Sequence, residues 1–173
     1  MISLILQIIR AFVAPNHRLS CSSKLWREGL SELQRRGKGQ HESGAFLLGV
    51  SQGNRRTIKR FVYYDDLDTH SLDTGIVVFD GSGYGPLWQL CRETGLTVVA
   101  DVHTHGGCAQ QSHLDRDNPM IAKQGHIALI VPQFATQIFQ PSDLGVYEYE
   151  GEHCWQDWSG YQAKQFFYIG YWG

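Results

Sequence analysis

Across residues 75 to 132, short apolar runs alternate with segments of helical spacing, and this alternation restricts the fold more than any other feature of the chain. "TGIVVFD" reads as a strand, "GPLWQLCRETG" as a helix with a glycine stop, and "LTVVADVHTH" as a buried strand. "SHLDRDNPMIAKQG" then reads as a capped helix and "HIALIVP" as another apolar strand. Strands that are apolar on both faces need cover on both sides, so the pattern predicts the α/β class: a layered sheet flanked by helices. Upstream, "SSKLWREGLSELQRR" sets Trp26, Leu30 and Leu33 at helical spacing, with serines to cap the start and "GKG" to stop it. "SGAFLLGVS" and "TIKRFVYYD", joined by "QGNRR", predict a hairpin, and "GVYEYEGEHCW" a second one. The aromatic-rich end, "YQAKQFFYIGYWG", is expected to pack back onto the body.

With 173 residues of which 42% are hydrophobic, the chain supports one core, and a single domain spanning residues 1–173 is expected. A formal charge of −2 gives no global pull toward nucleic acid, and no base-stacking motif accompanies the basic residues. The opening "MISLILQIIRAFVAP" is interrupted by Gln7 and Arg10 and falls short of the roughly 20 residues a membrane span needs, so it is read as a core-packing strand or helix. Cys21, Cys91, Cys108 and Cys154 form no C-x-x-C pair and follow no secretory signal, which points to a reducing cytoplasm.

The chemistry concentrates in "DVHTHGGCAQQSHLDRDNPM", residues 101 to 120. Residues two apart on a strand share a face, so His103 and His105 project together while Thr104 points the other way. The turn "GGCAQQ" lets the chain double back into a helix beginning near Ser112, whose first turn holds Asp115. The helix dipole favours a carboxylate there. Two imidazoles and one carboxylate leave a fourth tetrahedral position open, the arrangement of catalytic Zn²⁺ in hydrolytic sites. Such a site also needs a base; Glu42, at the mouth of the apolar strand, is the candidate, its other reading being a solvated strand end.

These residues resemble those of the JAMM metalloproteases, specifically the bacterial Prok-JAB branch, and the likeness spans most of the chain. "ESGAFLLG", residues 42 to 49, is similar to the family's glutamate-led strand, and "HTH" followed by "SHLD" to its H-x-H and S-x-x-D elements. The resemblance implies a JAB/MPN-type, cytidine-deaminase-like fold with a mixed sheet flanked by helices. It also implies that His103, His105 and Asp115 are zinc ligands, that Glu42 is the general acid/base, and that Ser112 helps hold the oxyanion. Two departures stand out. Nine residues separate His105 from Asp115 where the family usually has ten, and Gly106 stands where proline is common. Asp117 lies two residues further on, but only Asp115 completes S-x-x-D with Ser112.

The implied activity is an isopeptidase or processing protease for a ubiquitin-like protein, alongside activating and conjugating enzymes, in bacterial operons that include antiphage-defence systems. Trimming of a sulfur-carrier protein's C-terminus and a non-cleaving scaffold of the same fold are the alternatives. A nucleotide deaminase would need H-x-E and P-C-x-x-C, both absent from this sequence. Two features stay open. Cys108, just after the ligand pair, is an ordinary turn residue or a redox regulator of access. Arg35, Arg36, Lys38, Arg55, Arg56, Lys59 and Arg60 make either a partner-facing patch or a solvated helix end and hairpin.

Overall fold

The computed structural model describes residues 17–171 and 173, so the apolar N-terminal opening lies outside the described residues. Strand β1 (Leu19–Ser22) runs straight into helix α1 (Ser23–Arg36). The Ser22 hydroxyl accepts from the Leu25 N–H to cap the helix, and the Gly37 N–H closes it on the Leu33 carbonyl. Trp26, Leu30 and Leu33 form its buried face, as their spacing requires, and the Trp26 indole N–H donates to the Phe139 carbonyl at 3.0 Å.

Strands β2 (Gly44–Gln52) and β3 (Arg55–Tyr63) make the antiparallel hairpin, turning at Gly53, whose φ of 60° few other residues tolerate. Helix α2 (Tyr64–Leu67) and helix α3 (Tyr84–Thr94) precede strand β4 (Thr97–Thr104). Helix α4 (His113–Asp117), strand β5 (Ile127–Val131) and the hairpin of β6 (Gly145–Gly151) with β7 (Cys154–Asp157) follow. Helix α5 (Ala163–Phe166) leads into strand β8 (Phe167–Gly170). Among the described residues the strands form one mixed sheet of eight in the order β7-β6-β5-β4-β2-β3-β1-β8. β4 pairs antiparallel with β2 and parallel with β5, which places the His-bearing strand in the middle.

Both faces of the sheet are covered. Ala45 and Leu47 of β2 pack with Trp26, Leu30 and Leu33 of α1, whereas Phe46 and Leu48 face Tyr64 and Leu87 on the other side. This period-two alternation within one apolar run is what a doubly covered central strand requires. The architecture is therefore mixed α/β, built on a sheet with few helices.

Two elements differ from the sequence expectation. "TGIVVFD" forms no strand: residues 74–80 run as turn and extended backbone. Its β-branched residues are overridden because both flanks of β2 and β4 are already paired; instead the Val78 N–H bonds the Ser71 carbonyl, and Val77 and Phe79 pack on the α3 side. The helix read across "SHLDRDNPMIAKQG" stops after Asp117, because Asn118 precedes Pro119 and leaves the helical region, with φ −127° and ψ 68°. The aromatic end packs only in part: Phe166 and Phe167 are buried, while Tyr161 and Tyr171 are exposed.

No helix among the described residues is long and apolar enough to cross a membrane. The basic cluster does not form one free patch. Arg36 is drawn inward, bonding Glu32, Asp65 and Asp66 with its guanidinium 4.1 Å from the Tyr63 ring centroid, and Arg56 donates to the Val99 carbonyl.

Candidate metal centre

The end of β4 carries His103, and His105 follows just past the strand's last residue, Thr104. The His105 N–H bonds the Val131 carbonyl at the end of β5, and the His105 carbonyl accepts from the Phe134 N–H, so the chain is held where it leaves the sheet. The two imidazoles converge as strand geometry requires, with Nε2 atoms 3.0 Å apart. Thr104 faces away between them. Its hydroxyl accepts from the Ser43 N–H at 3.0 Å, and its own N–H donates to the Ser43 carbonyl at 2.9 Å. These bonds continue the β2–β4 pairing past Gly44 and His103 and carry Glu42 to the level of His105.

Asp115 arrives by a capping box. The Ser112 hydroxyl accepts from the Asp115 N–H at 3.2 Å, and the Ser112 N–H donates to Asp115 Oδ2 at 2.6 Å. The S-x-x-D spacing thus serves two ends: it starts the helix and aims the carboxylate. Asp115 Oδ1 lies 3.3 Å from His103 Nε2, and Oδ2 lies 3.3 Å from His105 Nε2. Among the described residues, these three are the group whose ligand atoms all fall within 4.8 Å of one another.

Such spacing suits a small divalent ion. Tetrahedral coordination at about 2.0–2.1 Å per ligand puts neighbouring ligand atoms about 3.3 Å apart, close to the 3.0–3.3 Å found here. Two imidazole nitrogens and one carboxylate suit zinc and other borderline ions rather than calcium or magnesium. The electrostatics agree. Burial raises the pKa of Asp115, but hydrogen bonds from His103 and His105 outweigh it and hold the carboxyl well below the usual range. Burial lowers that of His103, yet Asp115, Asp101 and Glu42 together raise it on balance. Three carboxylates thus favour positive charge beside His103.

Glu42 is fixed by the extended segment that follows α2. Its N–H donates to the Gly75 carbonyl at 3.0 Å and its Oε2 accepts from the Val77 N–H at 3.2 Å. It lines the same cavity as His103 and Asp115. Ser112 sits at the exposed start of α4 and lies outside that lining. Its oxygen is engaged by the cap, while the hydroxyl hydrogen can still donate. Asp117 and His113 are exposed, and Cys108 is an exposed thiol 3.8 Å from Gln110 Oε1, outside the ligand cluster.

Sequence reasoning missed Asp101. It is buried on the same strand face as His103, with Oδ1 2.6 Å from His126 Nε2 and Oδ2 accepting from the Tyr64 hydroxyl at 3.3 Å. The signal was present in the period of two that paired the histidines, which also puts Asp101 on their face. His126 is a core histidine satisfied by this carboxylate.

Compared with known proteins, the chain matches no family model. It is 26% identical over 121 residues to a protein of Sinorhizobium fredii named probable metalloprotease y4jG, covering 70% of this chain and 75% of that protein. Its fold is similar to the solution structure of protein DSY2949 from Desulfitobacterium hafniense. That match has a TM-score of 0.59 at 15% identity, over 87% of this chain and 92% of the other.

Proposed function

We propose that this chain is a zinc-dependent protease of the JAMM type that cuts at the C-terminal end of a ubiquitin-like protein in a bacterial conjugation pathway. The carrying observation is the convergence of His103, His105 and Asp115, with Glu42 on the wall of the cavity that His103 and Asp115 line. The metalloprotease name of the Sinorhizobium relative supports a hydrolytic reading. His103, His105 and Asp115 hold the ion. When bound, zinc supplies Lewis-acid chemistry, polarising a carbonyl and making water more acidic.

The chain's own groups carry the protons. Glu42, held toward the cavity by the Val77 N–H, takes a proton from the attacking water and returns it to the leaving amine. The Ser112 hydroxyl donates to the oxyanion that develops on the scissile carbonyl. An extended substrate tail brings that carbonyl to the site, and the pathway's activating and conjugating enzymes are the expected partners.

The test is release of a reporter fused behind the C-terminus of ubiquitin-like proteins. Release requires metal, stops on chelation and returns with Zn²⁺. Glu42→Ala lowers turnover by about 10²–10⁴-fold. Release that survives complete chelation contradicts the proposal.

A further inference from the structure

His103 and Asp115 of the triad line a cavity of about 400 Å³, within the roughly 300–1,000 Å³ usual for ligand sites. Its wall is apolar where Phe79, Tyr84 and Met120 line it, yet among the described residues its lining holds three carboxylates, Glu42, Asp101 and Asp115, and neither lysine nor arginine. A divalent ion on the triad supplies two positive charges against those three negative ones, leaving −1 with neutral imidazoles. Asp101 is the carboxylate farthest from water, at 1% exposure. Its hydrogen bonds to His126 and Tyr64 take up two of about four lone-pair sites, so acceptor capacity remains on this lining residue. A buried acid in a cavity with an apolar wall suits an occupant with an apolar stem and a cationic tip.

We infer that this cavity is a recognition site for a lysine-like side chain of the substrate, with its methylenes against Phe79, Tyr84 and Met120 and its free ammonium on Asp101. That side chain is distinct from any lysine within an isopeptide bond, whose acylated nitrogen carries no charge. Only the phrase "of the substrate" rests on the proteolytic reading; the binding itself does not.

The chain contains two methionines, Met1 and Met120, so methyl-¹³C methionine labelling places one reporter on the cavity wall. The labelled protein, with one equivalent of Zn²⁺ so that no ammonium settles on the triad, is titrated with Nα-acetyl-lysine methylamide and with its norleucine counterpart. The Met120 signal shifts with both, and the lysine probe binds about tenfold tighter, as one charge-assisted hydrogen bond allows. Asp101→Asn, which keeps a partner for His126 and Tyr64, brings that preference below about threefold at unchanged zinc content. Ala128→Leu fills the cavity from the sheet side and abolishes both shifts, and it serves if Asp101→Asn does not fold. Equal binding of the two probes, or a lysine preference that survives Asp101→Asn, overturns the inference. Lysine preference without cleavage of any fusion removes the protease reading alone; cleavage without the preference removes this inference alone.

Discussion

Gly145→Ala tests how the loop leading to Asp115 is held. Gly145 pairs with Ile130 in the buried sheet, and a Cβ built on it meets the Ala109 carbonyl oxygen at 2.0 Å. A carbon and a carbonyl oxygen settle at about 3.3 Å or more, so roughly 1.3 Å must be found between two backbones. The β6 side is locked into the sheet, which leaves the loop to move. That loop is tied down at the same spot: the Tyr147 hydroxyl donates to the Ala109 carbonyl at 3.2 Å and accepts from the Gln111 N–H at 3.3 Å. Ser112 and Asp115 follow directly, and coordination tolerates only about 0.2 Å of error. The expected result is a zinc affinity about 10–100-fold weaker, with about 1–3 kcal/mol lost from unfolding stability. Chelator competition reads the first and urea denaturation the second. Gly107→Ala is the control, because a Cβ there meets nothing among the described residues within 4 Å. A folded Gly145→Ala protein with wild-type zinc affinity, or a Gly107→Ala protein equally impaired, refutes this account of the loop.

Three further outcomes follow from particular bonds. Thr104→Val deprives the buried Ser43 N–H of its acceptor, and urea denaturation shows a loss of about 1–3 kcal/mol with zinc stoichiometry unchanged; unaltered stability contradicts the tether between Glu42 and the histidine strand. The hydrogen bond from Arg35, aided by Arg36 and opposed by burial, holds the Glu32 carboxyl down to about 2 from 4.5. A depressed carboxyl stabilises above its unfolded pKa, so the advantage of wild type over Glu32→Gln, about 1 kcal/mol for this partly exposed pair, is full above pH 4.5 and fades as pH falls toward 2; an advantage that grows on acidification refutes the pairing. Burial lowers the pKa of His103, but Asp115 and its acidic neighbours raise it on balance, so zinc displaces a proton there. Calorimetric enthalpies at pH 6.5 therefore differ between buffers of different ionisation heat, and apparent affinity falls as pH drops; identical enthalpies contradict that protonation state.

Much of this arrangement was legible in the sequence because it is local. The face shared by His103 and His105 follows from the strand period, and the position of Asp115 follows from a capping box written within four residues. Trp26, Leu30 and Leu33 gave the buried face of α1, and the β2–β3 hairpin came from its turn residues. What escaped depends on distant partners. The run "TGIVVFD" has the composition of a strand, yet both neighbours it would need are taken, and it serves instead to brace Glu42. Asp101 looked unremarkable because His126, Tyr64 and the cavity it lines come from other parts of the chain. The inward pull on Arg36 of the basic cluster escaped for the same reason: the acids around it arrive from α1 and α2.

The central claim is that three side chains build one metal site with Glu42 beside it as a non-ligand. Equilibrium zinc binding to the wild type and to His103→Ala, His105→Ala, Asp115→Ala and Glu42→Ala tests it most directly. The account predicts one tightly held ion per chain in the wild type and in Glu42→Ala, with binding lost in each of the other three. Tight zinc retained by folded His103→Ala or Asp115→Ala, or lost in Glu42→Ala alone, contradicts it.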